Sequence, residues 1–248
     1  PISRLTKVNE QQPAYVLHSR PWRETSVIAD LFTLNQGRVS VIIHGARKPQ
    51  GKQPAKRALV QPFTPLMVNF TGCGELRTSV QFDGAGPPLA IVGDSLYSGL
   101  YVNELLLNLL AADDPHPDLF AYYQAVLNEL MDNPVIEQCL RPFEVHLMDE
   151  LGYHMVLDKD YITGKVVVSD ASYQLHPLQG VCLKQIPHGE RDGAPSISGK
   201  VLLQLAAGQY TDKECLKVAK YMARANLGQL LGGKPLQSRN LFHTIVKK

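Results

Sequence analysis

The chain has 248 residues, 44% hydrophobic and 19% charged, with a formal net charge of +2. That is an ordinary globular composition, long enough for one or two domains with a real core. It has no stretch near the roughly 18 to 20 apolar residues that span a bilayer, and residues 1–13 carry no apolar run, so a soluble, cytoplasmic protein is expected.

The small net charge hides a segregated distribution. Residues 1–90 hold 11 Lys and Arg against 5 Asp and Glu, residues 91–160 hold 2 against 13, and residues 161–248 hold 12 against 5. Two basic segments around an acidic one suggest binding of a polyanion. The four cysteines, Cys73, Cys139, Cys182 and Cys215, lie far apart without a Cys-x-x-Cys pair. A four-cysteine zinc site needs close pairs, so free thiols in a reducing compartment are expected.

The first third predicts β structure. Ala14–His18 is a short strand. Ser26–Thr33 has strand composition, Gln36-Gly37 makes a turn, and Arg38–His44 follows as the hairpin partner. Gly45–Arg57 is rich in Gly, Pro and basic residues and predicts an exposed loop. Leu66–Phe70 and Glu75–Gln81 follow, joined by Thr71-Gly72-Cys73-Gly74. Five short strands in about 70 residues suggest a small closed barrel, because closure removes exposed edges.

The composition changes at the linker Gly84-Ala85-Gly86-Pro87-Pro88, and helical periodicity follows. Helices are predicted at Ser95–Leu110, Asp118–Met131 and Val135–Leu151, the last stopped by Gly152. Residues 153–193 read as irregular, with β-like pieces such as Lys165–Val168. Helices return at Lys200–Ala207, Asp212–Leu231 and Arg239–Val246. The fold class is α+β. The predicted domains are an extension over 1–13, a barrel over 14–84 and a mainly helical region over 85–248.

Two motifs for covalent or metal chemistry fail on context, and a third is absent. Gly228 to Lys234 has the spacing of a phosphate-cradling loop, but it ends a helix, and Pro235 stands where Ser or Thr would hold magnesium. A helix stop explains these glycines. His146, Glu150 and His154 are spaced four apart, as metal ligands on one helix face would be, but Gly152 breaks that helix. No Gly-x-Ser-x-Gly elbow or Ser-His-Asp order is visible. No catalysis, cofactor or metal is expected, with a metal-dependent hydrolase using the His146–Glu150–His154 set kept as an alternative.

The basic residues carry a stronger signal. Arg20 and Arg23 flank Trp22 after the first strand, and Arg38 opens the third. Arg47, Lys48, Lys52, Lys56 and Arg57 populate the loop, and Arg77 lies on the last strand. The middle strands of such a barrel, and the loops beyond them, form a groove for nucleic-acid strands. Cations there neutralise phosphates and release counterions. Trp22, Phe63 and Tyr15 are candidates to stack bases. On the helix after Asp212, the residues Lys213, Lys217, Lys220 and Arg224 make a second cationic stripe, suited to an acidic peptide or a longer nucleic-acid path.

Several segments together resemble the RecO recombination and repair proteins of bacteria. They are AYVLHSRPWRETS (14–26), GRVSVIIHGARK (37–48), LVQPFTPLMVNFTGCGEL (59–76), LYSGLYVNELLLNLL (96–110), DDPHPDLF (113–120), LRPFEVHLMDELGY (140–153) and LGGKPLQSRNLF (231–242). The resemblance covers Ala14 to about Val246. It implies an N-terminal OB-fold and a helical C-terminal domain. It implies binding of single- and double-stranded DNA, annealing of complementary strands and, with RecR, loading of the RecA recombinase onto DNA coated by the single-strand-binding protein SSB. It implies recognition of the acidic C-terminal tail of SSB and no need for a nucleotide, in a cytoplasmic, nucleoid-associated setting. Many relatives carry a four-cysteine zinc site after the Leu-Gly-Tyr segment; here the matching region supplies only Cys182, so no zinc is expected.

For the SSB tail, the expected groove lies between the helix carrying Leu106 and the helix around Leu140–Met148. Arg141, one of two basic residues in the acidic segment, would meet the terminal carboxylate. Lys217, Lys220 and Arg224 would attract the acidic side chains. Arg141 pairing with Glu137 or Glu144 on its own helix is the competing reading. An unrelated OB-fold module acting on RNA or single-stranded DNA is the alternative for the whole protein.

Overall fold

Alternating residues over the first third build five strands: β1 (Gln12–Trp22), β2 (Ser26–Thr33), β3 (Gly37–Ile43), β4 (Pro65–Thr71) and β5 (Leu76–Gly84). The computed structural model describes residues 10–47, 56–132, 135–184 and 195–238. The strands close into a barrel in the order β1-β2-β3-β5-β4. β3 pairs with β5 in parallel and every other pair is antiparallel. This is the five-stranded barrel the sequence predicts. β1 starts at Gln12, two residues inside the predicted extension, because Gln12 and Pro13 pair with Val68 and Met67 of β4.

In β3 buried residues alternate with half-buried ones, as expected for a strand with one face inward. Val39, Val41, Ile43, Val68, Phe70 and Phe82 fill the barrel with their neighbours. β2 differs, because all eight of its residues are buried. Val27, Ala29 and Leu31 point into the barrel. Two helices follow: α1 (Gly93–Leu109), which packs on β1, and α2 (Pro117–Met131), whose Phe120 and Tyr123 meet Phe32 on the opposite face of β2. Phe32 stands 5.3 Å from Phe120 and 5.8 Å from Tyr123 between ring centroids, and Tyr15 stands 5.9 and 5.3 Å from the same rings. Burying one such side chain contributes about 1.5–3 kcal/mol. A single hydrogen bond contributes about 1 kcal/mol. The aromatic cluster therefore holds α2 to β1 and β2 more strongly than any one polar contact.

The hairpin between β2 and β3 turns at Gly37, whose φ is +63°. A Cβ there would fall 1.7 Å from the carbonyl oxygen of Asp114. Glycine is needed for both reasons: the left-handed backbone, and the close passage of the connection between α1 and α2.

By its contacts the chain divides into two units, Pro1–Asn133 with Leu236–Lys248, and Pro134–Pro235. α1 and α2 therefore group with the barrel. The second unit contains α3 (Ile136–Glu150), α4 (Gly199–Ala206) and α5 (Lys213–Leu230), and α5 packs on both α3 and α4. Between α3 and α4 lies a three-stranded sheet, β6 (Ser172–His176), β7 (Gly180–Leu183) and β8 (Ile197–Ser198), in the order β7-β6-β8. The β-like, irregular region around 153–193 thus contains β6 and β7 of an ordered sheet. Lys165–Val168 is not one of its strands and carries only the bridge of Val166 to Lys159.

Asp212 caps α5, its Oδ1 accepting from the backbone N–H of Glu214 and Cys215 at 2.8 and 2.9 Å. The predicted helix Arg239–Val246 lies outside the described residues. Among the described residues, no helix is long and apolar enough to cross a membrane.

Candidate nucleic-acid interface

β1, β3 and β5 run one way and β2 and β4 the other. The β1–β2 turn, the exit of β3 and the entry to β4 therefore share one end of the barrel. That end carries Arg20, Arg23 and Arg47. β1 continues to Trp22, so Arg20 lies on the strand and only Arg23 lies in the turn. Arg23 adopts a left-handed φ of +52°, and its guanidinium carbon sits 5.9 Å from the centroid of the Trp22 ring. Ala46 is fully buried in the barrel core. The next residue, Arg47, is exposed and fastened to the turn, its N–H donating to Thr25 O at 3.0 Å and its Nη1 to Arg23 O at 3.4 Å.

Lys56 and Arg57 sit on a short 3-10 turn, Lys56–Ala58. The residues after it pack inward, with Val60 in the core and Leu59 against it. Lys56 and Arg57 thereby reach the surface where the chain enters β4. Lys48 and Lys52 lie outside the described residues.

Arg38 and Arg77 are directed elsewhere. Arg38 Nε donates to Leu110 O at 2.9 Å. Arg77 forms an ion pair with Asp113, donates to Gln36, and lies 5.1 Å from the Phe70 ring. Both arginines tie the barrel to the connection between α1 and α2. The aromatic candidates divide in the same way. Tyr15 is 6% exposed and Phe63 4%, too buried to stack a base, whereas Trp22 is 39% exposed. Phe120 and Tyr123 of α2 also cover Phe32 of β2, so that face of the middle strands is not open to a nucleic-acid strand.

In the second unit Arg141 is buried and pairs with Glu144 at 2.6 Å. Its Nε has no hydrogen-bond partner among the described residues. Arg141 borders a small apolar groove lined by Val145, Met148, Met155, Leu157 and Tyr210, all in this unit. The groove expected from the sequence required Leu106 as a wall. Leu106 is fully buried in the first unit and offers no surface. On α5, Lys213, Lys217 and Arg224 are exposed, while Lys220 pairs with Glu137 of α3.

The other candidates separate. His146 lies 3.8 Å from Glu150, but His154 turns to Asp149 at 2.9 Å beyond Gly152. Among the described residues, no three His, Cys, Asp or Glu side chains are grouped to hold a metal ion. Gly232 and Gly233 follow the end of α5 with positive φ, as a helix stop does. Cys215 is buried beside the Asp212 cap, and burial first, then Asp212, pushes its thiol up to about 12. It is a neutral packing group.

Comparison with known proteins follows the two segments. A family model described as "Recombination protein O N terminal" matches residues 8–85, and one described as "Recombination protein O C terminal" matches 92–239. The chain is 40% identical over 233 residues to the DNA repair protein RecO of Pseudoalteromonas atlantica, covering 94% of each chain. It is 37% identical to that of Azoarcus sp., covering 96% of this chain and 97% of the relative. It is 42% identical to that of Marinobacter nauticus, covering 94% of each.

Proposed function

The chain belongs to the RecO family of DNA repair proteins, and from that premise we propose that it is a recombination mediator. It binds single- and double-stranded DNA, anneals complementary strands and helps load RecA recombinase onto SSB-coated single strands, with RecR as a partner. It acts by binding, without covalent chemistry, nucleotide or metal. The observation that carries this reading is the fastening of exposed Arg47 to the turn that presents Arg20 and Arg23. Cations held on a rigid barrel end neutralise phosphates without reading sequence. Lys56 and Arg57 extend the patch, and Lys48 and Lys52 belong to the same cationic loop in sequence.

The acidic tail of SSB is assigned to the groove beside Arg141. What supports this is Arg141, a buried cation at the edge of the apolar groove, paired with Glu144 and with its Nε left without a partner among the described residues. Lys217 and Arg224 supply long-range attraction for acidic residues, and Lys220 does so through a weaker, shared charge.

The test is the salt dependence of binding to a labelled duplex. Each phosphate contact adds roughly 0.9 to the slope of log affinity against log salt. Replacing Arg20, Arg23 and Arg47 together by Ala lowers the slope by about two to three units. A slope identical to wild type removes this end of the barrel from the DNA site.

A further inference from the structure

Trp22 is the single tryptophan of the chain. It is 39% exposed at the end of β1, on the barrel end where Arg20, Arg23 and Arg47 reach solvent. It takes no part in the barrel core. The backbone beneath it is firm: Trp22 pairs with Ser26 and Pro21 with Val27 in register, and Pro21 fixes its own φ. The left-handed turn at Arg23 folds that guanidinium over the indole at 5.9 Å. Ser26, the pairing partner of Trp22, is joined to His44 at 3.3 Å, and Arg47 closes the turn from the other strand. A large aromatic plane is thus held in place among cations, with Glu24 the one acid in the turn.

A half-exposed indole presents a large flat apolar surface to a partner. Unpaired bases stack on such rings whatever their sequence, and duplex bases, already stacked inside the helix, do not. We propose that Trp22 is a stacking platform for an unpaired nucleobase, so that the barrel end distinguishes single strands from duplex. The arginines serve both forms of DNA through phosphate; the indole serves only the single strand. This rests on the DNA-binding reading above and adds a specificity-determining residue to it.

The emission of Trp22, excited at the red edge of its absorption, reports on this site alone. Binding itself is followed separately by anisotropy of labelled DNA. Three probes of equal length are compared: a thymidine oligomer, an abasic oligomer and a duplex. The expected result is that the thymidine oligomer quenches the emission, while the abasic oligomer binds without quenching it. Trp22→Ala then weakens binding of the thymidine oligomer roughly tenfold and leaves duplex affinity near wild type. Retained duplex binding shows that this variant is folded, and Trp22→Phe recovers most of the loss. Equal quenching by the abasic oligomer overturns the proposal, as does an equal loss for both forms of DNA. If anisotropy shows no binding of any DNA at low salt, the functional reading falls and the platform falls with it. Full anisotropy changes with unaltered emission sink the platform alone.

Discussion

The hydroxyl of Tyr123 on α2 donates to Asn103 Oδ1 on α1 at 2.7 Å. Asn103 in turn donates through Nδ2 to the carbonyls of Val16 and Leu17 at 3.3 and 3.1 Å. Those carbonyls lie where the register of β1 shifts against β2, between Val16 and His18. The bulge frees carbonyls that the ladder would otherwise use, and a buried amide takes them up. Both donors are fully or nearly fully buried. Burial is also the main cause that raises the Tyr123 pKa well above its ordinary value. The phenol therefore stays a neutral donor through the physiological range.

Replacing Asn103 with Leu strands two carbonyls and the Tyr123 hydroxyl. We expect a loss of about 2–4 kcal/mol, larger than the roughly 1 kcal/mol expected for Tyr123→Phe. Urea unfolding of the two variants and the double variant measures this. Because the groups share one network, the double variant loses less than the two singles together. Strict additivity would show that the contacts act independently.

Arg38 and Arg77 hold the α1–α2 connection to the barrel and do not face the cationic end. Arg77→Ala should lower stability by about 1–2 kcal/mol, since it releases Asp113 and Gln36 at once and uncovers Phe70. Its salt slope for DNA binding should match wild type. A slope reduced by a full unit, with stability unchanged, would move Arg77 into the DNA site.

Asp160 is buried and accepts backbone N–H bonds from Leu183, Thr163 and Ile162 at 2.7, 2.8 and 2.9 Å. The Leu183 bond leads, and together these bonds hold its pKa below the ordinary aspartate value against the opposing effect of burial. A lowered folded-state pKa means stability that is complete at neutral pH. That stability is lost as pH falls through the unfolded value towards the folded one, below about pH 5. Asp160→Asn should be less stable than wild type at neutral pH and should lose less on acidification. Parallel unfolding midpoints across the acid range would exclude a role for this carboxylate.

The barrel was legible in the sequence because strands and turns are local patterns. Alternation over Arg38–His44 and the Gln36-Gly37 turn give β3 and its hairpin to within one residue. The helices follow from the 3.6-residue period and their stops, as at Gly152. The cationic character of the first third was also plain from composition. The partners of individual arginines were not. Arg38 and Arg77 look like Arg20 and Arg23 until Leu110 and Asp113 come back to them across more than 30 residues. Leu106 reads as a groove wall because a helical period does not say which apolar residue is covered. The β-like character of the insert after α3 was legible, but not which residues pair, because β8 is two residues long and joins β6 across a long gap.

The sequence by itself determined the element types, the barrel, the helix stops and the sign of the charge. These depend on the chemistry of neighbours a few residues apart. Only the tertiary structure decided which cations face solvent, which aromatic is exposed, and that α2 covers one face of β2. Those outcomes depend on contacts between residues distant in the chain, whose energies exceed the local preferences that sequence can express.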